Sequence, residues 1–336
     1  MTNKLTVSII GAGNIAGGFD EKKLNNSTGI FSHAGAYTKN GNFVIKNIFD
    51  VDKKRGRDFK EYWNVQNIAN SENEIINSYQ DIISICSPDK FHFKTIKNIL
   101  LNNSCKTIFI EKPLGLTIEE VSEIYELSKK SKINIVVNFQ RHFDDSYKLH
   151  HFNDIDVITA NCYYIKGLKH IGITMIDTLI MIFGYPKSLY TYNKVYNKEV
   201  QDYSYEFIFF YDDFNITVKT VDKNSYQYHI FDIDILTKDR RIIFTDNGNT
   251  LLTYDLASYK YSGINVLAKE PIKVTTEYEI SILKSIEYLY DITYNGKKHT
   301  INTVTNSYNN HVLLDKIIES FEKEKKIILG ESLWKR

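Results

Sequence analysis

Three stretches of this chain carry residue types that can do chemistry at informative spacings. Gly11-Ala12-Gly13-Asn14-Ile15-Ala16 is a G-x-G-x-x-A run directly after an uncharged, β-branched segment at residues 5–10. In such a run the first glycine makes the tight turn, the second lets backbone approach a pyrophosphate, and the small third residue lets a helix pack on the strand. The helix start then holds the phosphates. The second stretch ends at Asp50, after the apolar residues 43–49. An acidic residue at the end of the second strand accepts hydrogen bonds from the adenosine ribose and repels a 2′-phosphate, which argues for NAD over NADP. The third is Glu111-Lys112-Pro113, a carboxylate beside an ammonium at the end of a β-branched run. The cofactor set read from these stretches is Gly11, Gly13, Asn14, Ile15, Asp50, Glu111 and Lys112, and the turn after the run at 81–86 adds Ser87, Pro88 and His92, the last either structural or near the nicotinamide.

Positioning these groups requires a parallel sheet. Residues 5–10, 43–49, 81–86, 107–110 and 133–138 read as strands, and helical patterns fall between them at 53–63, 91–101 and 117–130. Thr117-Ile118-Glu119-Glu120 has the form of a capping box. The alternation predicts a doubly wound α/β domain over residues 1–145, with ligands bound beyond the C-terminal ends of its strands. Asp50 stands 39 positions after Gly11, where about 20 is usual. The surplus, residues 19–37, reads as an insertion over the cofactor site. Asp20 and His33 within it either face the cofactor or substrate, or are a solvated Asp and a capping or packing His. Residues 146–336 read as an α+β domain. A strand at 156–164 and a helix at 171–183 precede alternating aromatic segments at 205–211, 215–221, 228–236, 241–244 and 250–254. These predict a large, mostly antiparallel open sheet. Helices are expected at 277–290 and 303–326. Such a sheet needs a cover, and a second subunit is expected to supply part of it.

Composition narrows the function class. The 42 Lys+Arg balance 41 Asp+Glu, so nothing draws nucleic acid or an anionic membrane electrostatically. No apolar run approaches the roughly 18–20 residues of a membrane span. The chain enters a strand too early for a signal peptide, and Cys86, Cys105 and Cys162 form neither a disulfide framework nor a zinc pattern. The expectation is a cytoplasmic protein without a metal, whose partners are a small molecule and further copies of itself.

Four features together resemble the glucose–fructose oxidoreductase / inositol dehydrogenase (Gfo/Idh/MocA) family. They are the N-terminal GAGNIA, the turn from Ser87 to His92, Glu111-Lys112-Pro113, and GITMIDTLIMIFG from Gly172 to Gly184. The resemblance covers nearly the whole chain. It implies a Rossmann domain followed by an open-sheet domain used for oligomerisation, as a homodimer or homotetramer. It also implies NAD(P)-dependent hydride transfer to or from CH–OH groups of sugars, cyclitols or nucleotide sugars. The family pattern D-x-G-x-H-x-x-D departs here. Its final Asp is Asp177, but its catalytic His position is Thr174 and its first Asp position is His170. Thr cannot exchange protons near neutral pH. His170, Thr174 and Asp177 share one face of a helix that begins by His170.

The resemblance therefore implies Lys112 as the group that polarises the reacting oxygen, Asp177 as its partner or a holder of a sugar hydroxyl, and His170 as a displaced acid–base. Asn138, Arg141, Lys166 and Thr174 are expected to line the substrate site. Lys166-Gly167 and the segment from His33 to Tyr37 resemble a branch found with bacterial surface-polysaccharide genes, which implies a nucleotide-linked sugar. The alternative is an NAD-binding sensor on the same fold, kept open by the missing His.

Overall fold

The computed structural model describes residues 4–22, 28–148, 156–221, 227–258 and 263–335. Its contacts divide the chain into two compact units. One comprises Met1–Phe143 and Glu279–Tyr308, the other Asp144–Tyr278 and Asn309–Arg336.

In the first unit, β1 (Leu5–Ile10), β2 (Phe43–Phe49), β3 (Asn67–Ile68), β4 (Gln80–Ile85), β5 (Cys105–Ile110) and β6 (Asn134–Val137) pair in parallel in the order β3-β2-β1-β4-β5-β6. β1, β4 and β5 are buried along nearly their whole length. That explains their uninterrupted apolar runs, because helices cover both faces of a parallel sheet. The order reverses between β1 and β4, the place where such sheets bind ligands. Thr117 caps the helix Ile118–Lys130 through Glu120 N, while the Glu120 carboxylate accepts from Leu116 N rather than from the cap residue.

One helix expected with the second domain packs with the first unit instead. Ser281–Thr293 buries Ile282, Ile286, Leu289 and Ile292 in the core formed by Val7, Ile9 and Ile45. Ala34 and Ala36, on the helix His33–Asn40, belong to the same core and let the two helices approach closely. Residues 23–27 of the expected insertion lie outside the described residues. Asp20 is buried rather than solvated, and accepts from Phe31 N and Ser32 Oγ. Its carboxylate thus ties the start of the insertion to the cap of the helix that follows.

The second unit holds a ten-stranded sheet among the described residues. Its strands are β7 (Val157–Tyr164), β8 (Ser188–Asn197), β9 (Asp202–Phe210), β10 (Asn215–Thr220), β11 (Phe231–Thr237), β12 (Arg240–Thr245), β13 (Thr250–Ser258), β14 (Asn265–Leu267), β15 (Ile272–Thr275) and β16 (Ile327–Ile328). All pairs are antiparallel except β7 with β10. Alternate residues such as Phe207, Phe209, Ile233 and Ile235 are fully buried. β8 was not foreseen: Asn, Lys and Thr dilute its apolar pattern, and an irregularity between Thr191 and Asn193 breaks its period. The helix Ile173–Phe183 follows β7 and ends at Gly184, whose carbonyl accepts from the Tyr211 hydroxyl. Thr191 on β8 bonds to Ser320 and Ile317 of the helix Val304–Glu322.

Tyr164 connects β7 to β9 across the intervening β10. Its hydroxyl donates to Tyr205 O at 2.9 Å and accepts from Tyr205 N at 2.6 Å. Burial pushes its ionisation far up, so the O–H stays a donor at every working pH. Tyr164→Phe leaves one buried N–H and one buried C=O without this partner, and is expected to cost about 1–3 kcal/mol in urea unfolding. A loss below about 0.5 kcal/mol would show that the two backbone groups find partners elsewhere.

Candidate dinucleotide and hydride-transfer site

The glycine turn leaves β1 at Gly11, whose φ is 94° and whose N–H donates to Phe49 O on β2 at 2.8 Å. A Cβ here would stand 2.7 Å from Ser87 N and 2.8 Å from Cys86 C, so only glycine lets the β1 and β4 turns touch. Gly13 is the opposite case. A Cβ on it would meet nothing within 4 Å, so its backbone faces open space. Ala16 is fully buried, as the close-packed third position requires. Asn14 and Ile15 open a π-turn over Asn14–Gly18 that runs into a short α-helix at Phe19–Glu21. The Asp50 carboxylate accepts from Ala12 N at 2.7 Å and from Asp52 N at 2.8 Å. A carboxylate has about four acceptor sites, so two remain for ribose hydroxyls.

Beyond the turn, the ends of β4, β5 and β6 carry a buried polar network. Glu111 follows β5 with its side chain 13% exposed. Its Oε1 accepts from His33 Nε2 at 2.9 Å and from Asn138 Nδ2 at 2.6 Å. His33 Nδ1 lies 2.7 Å from Ser84 Oγ, which lies 3.4 Å from the Tyr37 hydroxyl. The His33 ring also packs against Phe109 at 4.5 Å between centroids. Burial alone would raise the Glu111 carboxyl, but hydrogen bonds from His33 and Asn138 and the nearby Lys112 charge hold it below the usual carboxylate range. His33 is thus buried and packed, one of the readings expected of it, and its imidazole also joins the strand-end network through Glu111. Its signal in sequence was only a His inside an inserted segment.

Lys112 follows, and burial lowers its ammonium below the ordinary lysine range. The Glu111 carboxylate opposes that shift, and the neighbouring Arg141 charge adds to it. Arg141 itself is buried in the turn Gln140–Phe143. His92 is buried with both ring nitrogens against backbone carbonyls, Pro113 O at 2.7 Å and Ser87 O at 2.9 Å. It ties the turn after β4 to the turn after β5. Pro88 is exposed beside it. Two polar atoms at these strand ends are buried without a hydrogen-bond partner among the described residues, Ser87 Oγ and Asn138 Oδ1. An unpaired buried polar atom costs about 1–3 kcal/mol, and a ligand that pairs it removes that cost. The open backbone at Gly13, the spare acceptors of Asp50 and these two atoms fit a dinucleotide laid across the strand ends.

The remaining expected residues sit in the second unit. Lys166, at φ 65°, precedes a π-turn over Gly167–Gly172, and the α-helix begins only at Ile173. Asp202 and Ser204 of β9 hold this turn through Lys169 N and Gly167 N. The wide turn removes the premise of an α-helix running from His170. That imidazole is exposed, whereas Thr174 and Asp177 are buried. Asp177 accepts from Asn310 Nδ2 at 2.8 Å, and Asn310 was not foreseen. Thr174 Oγ is buried without a hydrogen-bond partner among the described residues. No cluster of metal-ligating side chains occurs among the described residues. No described helix is long and apolar enough to cross a membrane.

Comparison with known proteins agrees with this geometry. Residues 5–139 match the oxidoreductase family with an NAD-binding Rossmann fold. The myo-inositol 2-dehydrogenase of Thermotoga maritima is 29% identical over 106 residues, 31% of this chain and 31% of that one. The chain spans well under half the length of the curated relatives it matches. Among solved structures, a levoglucosan dehydrogenase complexed with NADH and levoglucosan shares the fold, with a TM-score of 0.76 and 16% identity over 98% of this chain and 100% of that one. The transcriptional regulator Gal80p of Kluyveromyces lactis shares it too, with a TM-score of 0.77 and 14% identity over 99% of this chain and 93% of that one.

Two measurements check the site. Asp50→Ala is expected to narrow the preference for NADH over NADPH in calorimetric titration by roughly 1–3 kcal/mol, the scale of a charged hydrogen bond. An unchanged preference removes Asp50 from cofactor choice. For Glu111 the sign follows from its lowered carboxyl. The stability it contributes is present above the ordinary carboxylate pKa near 4.5 and is lost as pH falls through the lower folded value. Thermal unfolding of wild type is thus expected to weaken more steeply below about pH 4.5 than that of Glu111→Gln. Parallel curves would show that Glu111 titrates alike in the folded and unfolded chain.

Proposed function

The chain belongs to the Gfo/Idh/MocA family of oxidoreductases, and we propose that it transfers a hydride between NAD and a carbinol carbon of a sugar. The substrate class in this reading is a nucleotide-linked sugar of surface-polysaccharide biosynthesis. Lys112 carries the reading. Its ammonium is destabilised by burial beside Glu111, at the strand ends that adjoin the glycine turn. Lowering an ammonium's pKa makes it a better proton donor, and its free amine a group that can take the proton back. NAD, when bound, supplies the carbon that takes or gives the hydride. In this reading Lys112 moves the proton at the hydroxyl oxygen and stabilises the charge that develops there. Glu111, clamped by His33 and Asn138, keeps a fixed negative charge next to it. The sugar-type assignment is supported by the inositol and levoglucosan dehydrogenases among the similar proteins.

Asp177 is proposed to hold a sugar hydroxyl and His170 to exchange a proton. Arg141 suits a phosphate or carboxylate of the substrate. The protein is proposed to act in the cytoplasm as a homodimer or homotetramer joined through the open sheet. The exposed Tyr192, Tyr196 and Tyr203 on β8 and β9 support that assembly.

A second reading, an NAD-binding sensor, is favoured by Thr174, which stands where the family pattern has its His. Gal80p illustrates that the fold also serves regulation.

Turnover of sugar nucleotides, free sugars and cyclitols with NAD decides between the two. For the enzyme, Lys112→Ala is expected to abolish most of kcat. His170→Asn is expected to lower kcat by about 10²–10⁴-fold, the scale of a positioned proton-transfer group. Thr174→Ala is expected to cost little, and NADH binding to survive all three. A His170→Asn rate within about threefold of wild type removes the imidazole from the chemistry. Tight NADH binding without turnover of any of these substrates favours the sensor.

A further inference from the structure

We propose that Asn138 Oδ1 accepts a hydrogen bond from the nicotinamide-bearing half of the dinucleotide. An ionised Glu111 can only accept. The Asn138 group 2.6 Å from Glu111 Oε1 must therefore be the Nδ2 donor, which fixes the amide and turns Oδ1 away from the carboxylate. The carboxylate is anchored in turn by His33 Nε2 at 2.9 Å, and His33 by Ser84 at 2.7 Å. Rotating the Asn138 amide would set its carbonyl against a carboxylate, so the acceptor direction is locked by a chain of bonds from β4 to β6. Asn138 is 3% exposed, and its Oδ1 has no hydrogen-bond partner among the described residues. A locked, desolvated acceptor selects a ligand that brings a donor.

Its place in the sheet says which part of the ligand. Asp50 on β2 takes the adenosine end and the Gly11–Gly13 turn on β1 takes the pyrophosphate, so the other half of the dinucleotide runs toward the ends of β4, β5 and β6. Asn138 directly follows β6, and its N–H donates to Ile110 O at the end of β5. The donors on that half are the carboxamide N–H groups and the hydroxyls of its ribose. The proposal rests on the glycine turn holding a dinucleotide, and the experiment separates the two.

ADP, ADP-ribose, NADH and the reduced 3-acetylpyridine analogue of NADH, which lacks the amide N–H donors, are titrated calorimetrically into wild type, Asn138→Ala and Asn138→Ser. Asn138→Ser carries the comparison if Asn138→Ala does not fold. The variants are expected to bind NADH about tenfold more weakly, the size of one lost hydrogen bond, with ADP unchanged. If the carboxamide is the donor, wild type prefers NADH over the analogue about tenfold, and the variants lose that preference. If a ribose hydroxyl is the donor, the variants weaken on ADP-ribose as well. NADH binding that is equal in wild type and variants overturns the proposal while leaving the dinucleotide reading intact. Absence of both ADP and NADH binding overturns the dinucleotide reading itself.

Discussion

A buried carboxylate has to be surrounded by donors, and the first unit is arranged around that requirement at Glu111. Taking an ionised carboxyl out of water without partners is prohibitive, so the end of β5 is tolerable only because His33 and Asn138 reach it from either side. Asn138 comes from the end of β6. His33 comes from the helix His33–Asn40, which Ser32 caps through Gly35 N and which Asp20 anchors through the Ser32 hydroxyl. The inserted segment thus works as a scaffold that delivers an imidazole to a strand end, and its small residues let that helix lie close to Ser281–Thr293.

The same constraint sets the electrostatics beside Lys112. Burial pushes that ammonium down, the fixed Glu111 charge pushes back, and Arg141 withholds full neutralisation. An exposed Lys–Glu pair would be worth little and would titrate ordinarily. Removal from water is what makes this lysine responsive. His92 links the two turns, with its ring nitrogens 2.7 Å from Pro113 O and 2.9 Å from Ser87 O. The second unit uses a comparable device. Tyr164 spends its hydroxyl on the β9 backbone, and Asp202 and Ser204 pin the π-turn that leads to Thr174 and Asp177.

Much of this was legible from residue order alone. β1, the glycine turn, Asp50 and the Glu111-Lys112-Pro113 end are local features. A β-branched run buried on both faces, a turn that demands glycine and an acid at a strand end each declare themselves within a few positions. The antiparallel sheet was legible from alternation, except at β8, where polar residues and a broken period hid it, and at β14, β15 and β16, which are too short to show a period. What the tertiary structure alone decided are the partners. His33 and Glu111 lie 78 positions apart, and neither residue type specifies the other. The apolar stripe of Ser281–Thr293 declared that the helix buries a face, but only packing chose the first unit's sheet to receive it. The π-turn before Ile173 likewise follows from its anchoring by β9, so residues that share a face on an ideal helix differ in burial here. Periodicity and turn chemistry are short-range and survive in one dimension; the satisfaction of a buried charge depends on which distant segments return to it, and that exists only once the chain has folded.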